Sequence, residues 1–423
     1  MLPNKSEKKC SFIYLVLILI IGARCLTPVL SYYIPTLYAA VLAAVWALLA
    51  LIKVIGERRD NTALQVLLPL SLFIIIIFFY KFIGISTAAI GNYFNQLIFW
   101  LFIPVLMFVA RYFSVSQKRV LFWALSIVIC INIISNITLY SVYGDLFDNM
   151  YQLDSSAYEG LNIGGTPFVT CVLLWLCLSL ICGLYDKRKL VAIFFFASVF
   201  LSTYYQLFIG RRGSVIIIGL IAIAFILLIK LSGGSKKKRR LWGSVLFFVT
   251  ALVLLNGDFL LKTIASVAPE RLADRAEDLL DTSHKGVSED SFSGRAGLIE
   301  LSLNTWTDNI GNFFVGKGDV RPDEDERGGA AYERTGIGGH SEFADTLARY
   351  GIVGMILVLL IYYRFYKYVK RLFMSRELKM QWLCLFWVFI ILSITKGVFL
   401  PEIGCVFFLI IPLSGFIIKD NNL

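Results

Sequence analysis

The chain has 423 residues, of which 58% are hydrophobic and 16% charged, and its mean hydropathy is +0.75. A soluble domain carries about a quarter charged residues and roughly half apolar ones, so this composition excludes an ordinary soluble protein. The formal net charge of +11 does not indicate nucleic-acid binding, because the basic residues lie in short clusters between apolar runs, as in the loops of membrane proteins.

Long apolar runs recur along the chain, for example over 64–84 and 214–231. Runs of 18 or more residues with almost no charge can cross about 30 Å of hydrocarbon as helices, and lipid offers no partner for the polar groups of open strands. The sequence therefore predicts an all-α polytopic membrane protein with about twelve transmembrane helices, near 11–29, 34–54, 63–83, 91–110, 120–140, 166–184, 190–209, 213–231, 241–257, 344–363, 381–400 and 403–418.

Alternate connections between these runs are basic, such as "KVIGERRD", "YDKRK" and "KLSGGSKKKRR". The positive-inside rule assigns such loops, and here both termini, to the cytoplasm. The predicted organisation is nine transmembrane helices in 1–256, a large outer loop over 257–343, and transmembrane helices ten to twelve in 344–423. Within the outer loop we predict helices over 269–281 and 293–309, and glycine-forced turns in "NIGNFFVGKGD".

Cofactor and metal motifs are not evident in the sequence. The eight cysteines are scattered and none forms a C-x-x-C pair, so we predict neither a disulfide framework nor a metal site. The glycine-rich stretches do not match a phosphate-binding loop. We therefore expect no cofactor and no ATP-driven chemistry.

Arginines on the outer side are the first candidate site residues. Arg211 and Arg212, in "FIGRRGSV", occupy a tight outer turn at headgroup level, where guanidinium groups bind phosphate oxygens in pairs. Arg295, in "SFSGRAGLIE", falls in the first turn of a predicted helix, whose free N–H groups favour anions. The alternatives are snorkelling anchors for the arginine pair and a surface salt bridge for Arg295.

The second group surrounds one of the two histidines. His340, in "GGHSEFADTLARYGIVG", directly precedes the tenth predicted span, with Glu342 nearby to orient or charge it. A neutral imidazole is the natural general base for activating a hydroxyl; the alternative is a histidine with no catalytic role at the membrane rim. Lys396 and Glu402 flank the outer hairpin "TKGVFLPEIG" and are candidates for lining the same cavity.

Two stretches carry a resemblance to a known family. "GRAGLIELSLNTWTDNIGNFFVGKGDV", followed by "GHSEFADTLARYGIVGM", resembles the O-antigen polymerase and O-antigen ligase superfamily, and "GRRGSVIIIGL" is similar to that family's S-R-G turn. The resemblance covers roughly 200–365. It departs at Ser341, where the family usually has Asn, and at Gly210, where Ser or Thr is usual.

The resemblance implies a metal-independent glycosyltransferase of the GT-C type in the bacterial inner membrane, with its active site on the periplasmic side. Its donor would be an undecaprenyl-diphosphate-linked oligosaccharide, and a chain-length regulator protein would be a partner. Carried over to this chain, Arg211 or Arg212 and Arg295 would hold the diphosphate, and His340 would activate the acceptor hydroxyl or position the donor. Glu342 completes the predicted catalytic group.

The sequence is compatible with three main functions. A Wzy-type polymerase, which we favour, joins lipid-linked repeat units into O-antigen or a related surface polysaccharide, whereas a ligase transfers the glycan to lipid A-core by the same diphosphate chemistry. The alternative from another class is a lipid-linked glycan transporter or flippase, which would place paired ionisable residues near mid-bilayer. We predict that few charges are buried within the spans, namely Lys81, Lys396 and Glu402.

Overall fold

The part of the chain that the structure describes is helical and contains no strand. The computed structural model describes residues 5–27, 30, 61–86, 90–129, 131, 294–319, 335–339, 341–373, 376–395, 397–413 and 415. Three of its helices are long and apolar enough to cross a membrane: Leu64–Phe82, Tyr93–Tyr112 and Glu342–Leu372. The prediction of an all-α membrane protein is therefore confirmed in these residues, and the number of spans stays a prediction.

The helices follow the order of the chain. Their bounds are α1 Lys5–Leu26, α2 Asn61–Phe82, α3 Ile90–Tyr112, a helical segment 115–129, α4 Gly294–Thr307, α5 Ile310–Val315, α6 Glu342–Leu372, α7 Arg376–Thr395, α8 Pro401–Gly404 and a π-helical turn Cys405–Ile410. The predicted helix 269–281 and the predicted spans near 34–54, 166–184, 190–209, 213–231 and 241–257 lie outside the described residues.

The chain divides into two compact units. The first contains Met1–Trp175, Leu298–Phe373 and Ile391–Leu423, and the second contains Leu176–Gly297 and Met374–Ile390. In the described part of the second unit, Trp382 and Phe389 of α7 are buried.

Aromatic side chains form the core of the first unit. Trp100 of α3 packs against Tyr362 of α6 and against Phe399, with ring centroids 5.8 and 5.0 Å apart. Phe73 of α2 packs edge-on to Trp100 at 5.6 Å and to Tyr350 of α6 at 5.3 Å. Edge-to-face rings of this kind combine a large buried apolar area with favourable quadrupole geometry, and they hold α2, α3, α6 and the C-terminal segment together.

Helix directions follow from contacts at the two ends of α6. Arg364 Nη1 donates to Gln65 Oε1 of α2 at 2.9 Å, whereas the rings of Tyr80 and Tyr350 meet at 5.9 Å, so α2 and α6 are antiparallel. Tyr350 Oη also donates to Gln96 Oε1, near the start of α3, at 3.1 Å. One end of the unit, which we call the site end, therefore joins the end of α2 to the beginnings of α3 and α6.

Helix α6 is broken at Gly351, whose φ and ψ are 61° and −165°. In an unbroken helix the carbonyls of Ala348 and Arg349 would accept from the N–H groups four residues later. Here they accept instead from the N–H groups of Lys317 and Gly318, at 2.8 and 3.0 Å. The turn after α5 thus supplies the hydrogen bonds that the break removes.

Glycines make this close backbone contact possible. A Cβ built on Gly351 would lie 2.4 Å from the carbonyl carbon of Phe314, and one on Gly316 would lie 2.4 Å from that of Arg349. Both glycines also have positive φ, which an L side chain rarely adopts. The two backbones can approach in this way because neither glycine has a side chain.

Two predicted boundaries were wrong. The span predicted over 381–400 ends as helix α7 at Thr395, and 397–400 is non-helical. The helix restarts at Pro401, whose ring favours a first helical turn. The span predicted over 344–363 begins earlier, at Glu342, because the hydroxyl of Ser341 caps it by accepting from Ala344 N at 3.2 Å.

The turns predicted in "NIGNFFVGKGD" are only partly present. Residues 310–315 form helix α5, because the side chain of Asn309 accepts from Asn312 N at 2.8 Å and caps a new helix. The glycine-forced turn is confined to 316–318. The predicted helix 293–309 is confirmed as α4, Gly294–Thr307.

Candidate functional site

The predicted site residues are only partly within the described residues. Arg211, Arg212, His340 and Lys396 lie outside them. Arg295 is the second residue of α4 and belongs to the second unit, so its place in the first turn of a helix is as predicted. Glu342 and Glu402 lie in the first unit and are described in full.

Glu342 is a buried carboxylate at the start of α6, with a relative exposure of 3%. Its Oε2 accepts from the backbone N–H groups of Val398 and Phe399, at 2.8 and 3.0 Å. Hydrogen bonds to an ionised acceptor are shorter and stronger than neutral ones. Glu342 therefore fixes the non-helical segment 397–400 against the first turn of α6.

Arg349 lies between two carboxylates. It follows Glu342 by seven residues, which places both on one face of α6. Its Nη1 lies 3.7 Å from Glu342 Oε1, and its Nε lies 3.4 Å from Asp319 Oδ1, with 18% of the arginine side chain exposed. Removing a charge from water costs free energy unless the charge is paired. The Arg349 guanidinium therefore offsets the cost of burying the carboxylates of Asp319 and Glu342, and they offset its own.

Asp319 is itself attached to the end of α2. Its backbone N–H donates to Ser86 Oγ at 2.6 Å, and Ser86 Oγ in turn lies 3.1 Å from the Asp319 carbonyl oxygen. Lys317, two residues earlier, donates from Nζ to the Thr335 carbonyl at 3.2 Å. The segment after α5 is thus connected to α2, to α6 and to the loop before His340.

A second buried carboxylate holds that loop. Asp345 Oδ1 accepts from Ser302 Oγ of α4 at 2.8 Å and from Gly339 N at 3.2 Å, while Ser302 Oγ accepts from Gly338 N at 2.9 Å. Gly339 and Ser341 directly flank His340 in the chain. The backbone on both sides of the histidine is therefore fixed, on one side by Asp345 and on the other by the N-cap of α6.

Gly338 allows this loop to lie close to α4. A Cβ on Gly338 would lie 2.1 Å from the Leu298 carbonyl oxygen of α4. A Cβ on Gly397 would lie at an ordinary contact distance, 3.5 Å from the Gly339 carbonyl oxygen and 3.8 Å from Glu342 Oε2. The residue before His340 and the residue after Lys396 are thus neighbours, although both predicted residues lie outside the described part.

The charges described at the site end do not form a complete anion site. Three carboxylates, Asp319, Glu342 and Asp345, lie there with three cations, Lys81, Lys317 and Arg349, and the arginine is already paired. A diphosphate at this end would need further cations. The described charges therefore connect segments of the chain and do not by themselves form a diphosphate site.

Glu402 belongs to a separate charged group. It lies in the first turn of α8 and within electrostatic reach of Arg24, in the last turn of α1, which is 6% exposed. Close approach of α8 to α3 is possible because a Cβ on Gly404 would lie 2.6 Å from the Phe99 carbonyl oxygen. Lys81, the other charge noted in a span, lies 5.4 Å from the Tyr93 ring centroid, at cation–π distance.

Arg349 and Asp319 were missed as site residues from the sequence. The signal for Arg349 was present: an arginine in a candidate span is a functional-site candidate by default, and Glu342 stands seven residues before it on the same helix face. Asp319 gave no comparable signal, because its partners Ser86 and Arg349 are far from it in the chain.

Taken together, these features define the class of the protein: a helical membrane protein with a buried, hydrogen-bonded charge network at one end of its apolar helices. Comparison with known proteins adds nothing to this class, because no protein-family model matches the chain and no curated protein matches it.

Proposed function

We propose that the chain is a membrane glycosyltransferase that polymerises undecaprenyl-diphosphate-linked repeat units into O-antigen or a related surface polysaccharide. The observation that carries the proposal is that the two stretches on which the family resemblance rests pack directly on each other. Ser302 of the first bonds Asp345 of the second, and Asp319 of the first pairs with Arg349 of the second. If the two stretches form one active site, they are expected to pack on each other beside the loop that carries His340.

In the proposed reaction, a hydroxyl of one repeat unit attacks the anomeric carbon of the lipid-linked donor. The new glycosidic C–O bond forms as the bond to the diphosphate oxygen breaks, and the hydroxyl proton passes to His340. Arg211, Arg212 and Arg295 stabilise the charge on the leaving diphosphate, the contribution that is usually largest in such catalysis. A correctly placed base adds about 10²–10⁴-fold.

Glu342 and Arg349 act in this proposal as positioning residues. The carboxylate of Glu342 is committed to two backbone N–H groups and to Arg349, which suits it for holding the His340 loop and segment 397–400 together.

The proposed topology is twelve spans in a GT-C arrangement, both termini in the cytoplasm and the site end on the periplasmic side of the inner membrane. The charge pattern of α6 supports this orientation. Fifteen residues separate Arg349 from Arg364, about 22 Å along a helix, and the far end of α6 is basic, with Lys370 and Arg371 in its last turn. Basic helix ends favour the cytoplasm.

A transporter remains the second candidate because one specific observation favours it. Transporters bind substrate at broken helices that carry charges, and α6 is broken at Gly351, two residues after the partly buried Arg349. The position of the charges near one end of the helix, rather than in its middle, favours transfer chemistry. A ligase would use the same site and differs only in its acceptor.

Deleting the gene in its host distinguishes the three functions. Loss of the polymerase leaves surface glycolipid with core plus one repeat unit, and loss of a ligase leaves bare core with long glycan on the lipid carrier. Loss of a flippase leaves single lipid-linked units on the cytoplasmic leaflet. An unchanged glycolipid ladder would contradict the proposal.

Complementation of the deletion strain then tests the site. We expect His340→Ala to insert normally and give no polymer, whereas His284→Ala, which alters the other histidine of the chain, restores it. Arg349→Gln is expected to reduce polymer strongly, and Arg364→Gln, at the exposed far end of α6, is its matched control. Full-length polymer from His340→Ala would sink the assignment.

A further inference from the structure

Helix α5 exposes a continuous apolar surface. Ile310 is 79% exposed, Phe314 52%, Val315 45% and Phe313 37%, and we call these four side chains the α5 patch. They occupy nearly the whole of a six-residue helix. An exposed cluster of large apolar side chains marks a surface that contacts a partner or a membrane.

The α5 patch lies level with the candidate membrane spans. The Val315 carbonyl accepts from Tyr80 Oη, in the last turn of α2, and the backbone of Phe314 faces the break at Gly351, nine residues into α6. Both helices are long and apolar enough to cross a membrane. The patch is therefore beside these helices near their ends and does not project away from them.

The exposed side chains at the end of α2 continue the same apolar surface. Phe79 is 54% exposed and Phe82 90%, on either side of the Tyr80 that contacts α5. In a membrane-spanning helix such side chains face lipid. The lipid-facing side of α2 therefore extends to the α5 patch.

A tryptophan and a polar edge border the patch. Trp306 of α4 stacks on Phe313, with ring centroids 4.9 Å apart and an interplanar angle of 17°, and its Nε1 donates to the Phe313 carbonyl at 3.0 Å. The exposed residues around it in the chain are mostly polar, namely Asn304, Thr307, Asp308 and Asn309, and Leu303 is exposed as well. Tryptophan is enriched where proteins cross from hydrocarbon to headgroups, and an apolar face with a polar edge is typical of interfacial helices.

We propose that α5 is an interfacial anchor, and that the acyl chains of the adjoining bilayer leaflet cover the α5 patch. Part of the backbone of α5 meets the main condition for such a position, because the N–H groups of Asn312 and Phe313 donate to Asn309 and that of Gly316 donates to the Asn312 carbonyl, and polar groups near lipid need partners of this kind. The proposal rests on the membrane class of the protein and is independent of its reaction. It implies that lipid contact helps to hold Asp319 beside Arg349.

Photocrosslinking in vesicles tests the anchor with the native cysteines in place. The full chain, reconstituted in phosphatidylglycerol–phosphatidylethanolamine vesicles, carries benzoylphenylalanine in place of Phe314. The lipid-facing control carries the same photoreactive residue in place of Phe79, within a candidate span. The water-facing control carries it in place of Asn304, on the polar edge. Adducts are identified by the mass of the labelled peptide.

Phospholipid adducts should form at Phe314 in about the same yield as at Phe79, because these side chains are exposed to nearly the same extent, 52% and 54%. Few should form at Asn304. Crosslinks from Phe314 to protein, or a lipid yield no higher than at Asn304, would overturn the proposal. Placing the probe at Ile310 provides a second position, with the same expectation, if the first variant fails to fold.

Discussion

Replacing Glu342 removes the residue that connects α6 to segment 397–400. In Glu342→Gln the side chain keeps an oxygen that can accept the N–H groups of Val398 and Phe399, but it loses its charge and hence its pairing with Arg349. In Glu342→Ala the two hydrogen bonds are lost as well. The two variants therefore separate the effect of charge from that of hydrogen bonding.

The magnitudes follow from these contacts. Breaking a buried ion pair by removing one partner costs about 3–5 kcal/mol, because the other charge stays buried. Arg349 keeps Asp319 at 3.4 Å, so we expect Glu342→Gln to cost about 1–2 kcal/mol, below that range. Each hydrogen bond to a charged group is worth about 1.5–3 kcal/mol, so losing both of them together with the pairing to Arg349 should make Glu342→Ala cost about 4–8 kcal/mol.

Thermal unfolding of the purified protein in one detergent measures the order of the variants. The wild type and the control Glu300→Gln, at an exposed position of α4, should unfold at the same temperature, Glu342→Gln lower and Glu342→Ala lowest. Adding Arg349→Ala to Glu342→Ala should cost less than the two single losses summed, because the pair shares one interaction. Equal stability of Glu342→Ala and wild type would refute the assignment of Glu342 as the connecting residue.

Three further predictions concern the backbone contacts and the loop before the histidine. Gly351→Ala should destabilise the protein more than Gly84→Ala in the same unfolding assay, because both glycines have positive φ but a Cβ meets backbone only at Gly351; equal losses would contradict the close approach. Ser302→Ala should cost about 1–3 kcal/mol, since it leaves buried partners unsatisfied, whereas Thr307→Ala, at an exposed position, should change the unfolding temperature little. Gly338→Ala should insert in the membrane and yet fail to restore polymer in the deletion strain, because a Cβ there displaces the loop before the histidine; normal polymer would show that the loop position is not critical.

The sequence predicted those elements that depend on local pattern. The apolar runs at 63–83 and 91–110 correspond to α2 and α3, and the amphipathic stretch at 293–309 to α4. Composition and periodicity were sufficient there, because a long apolar run in lipid must pair its backbone polar groups within the segment and therefore forms a helix.

Features that depend on contacts between distant parts of the chain were not predictable. The break at Gly351 occurs because a turn more than thirty residues earlier replaces two helical hydrogen bonds, and a glycine in an apolar run gives no sign of it. Likewise, α7 ends before 397–400 while Glu342 accepts N–H groups from that segment. Both features require knowledge of which segments are neighbours in space.

The junction between the turn 316–318 and α6 has a consequence for how the protein tolerates mutation. Its hydrogen bonds join main-chain atoms only, so they do not depend on the identity of the side chain at Lys317. A deep mutational scan should therefore show an uneven pattern, in which the positive-φ glycines Gly316, Gly318 and Gly351 accept no other residue while their exposed neighbours vary. Homologues could diverge widely in this region and still keep the register of the turn against α6, provided that they retain these glycines.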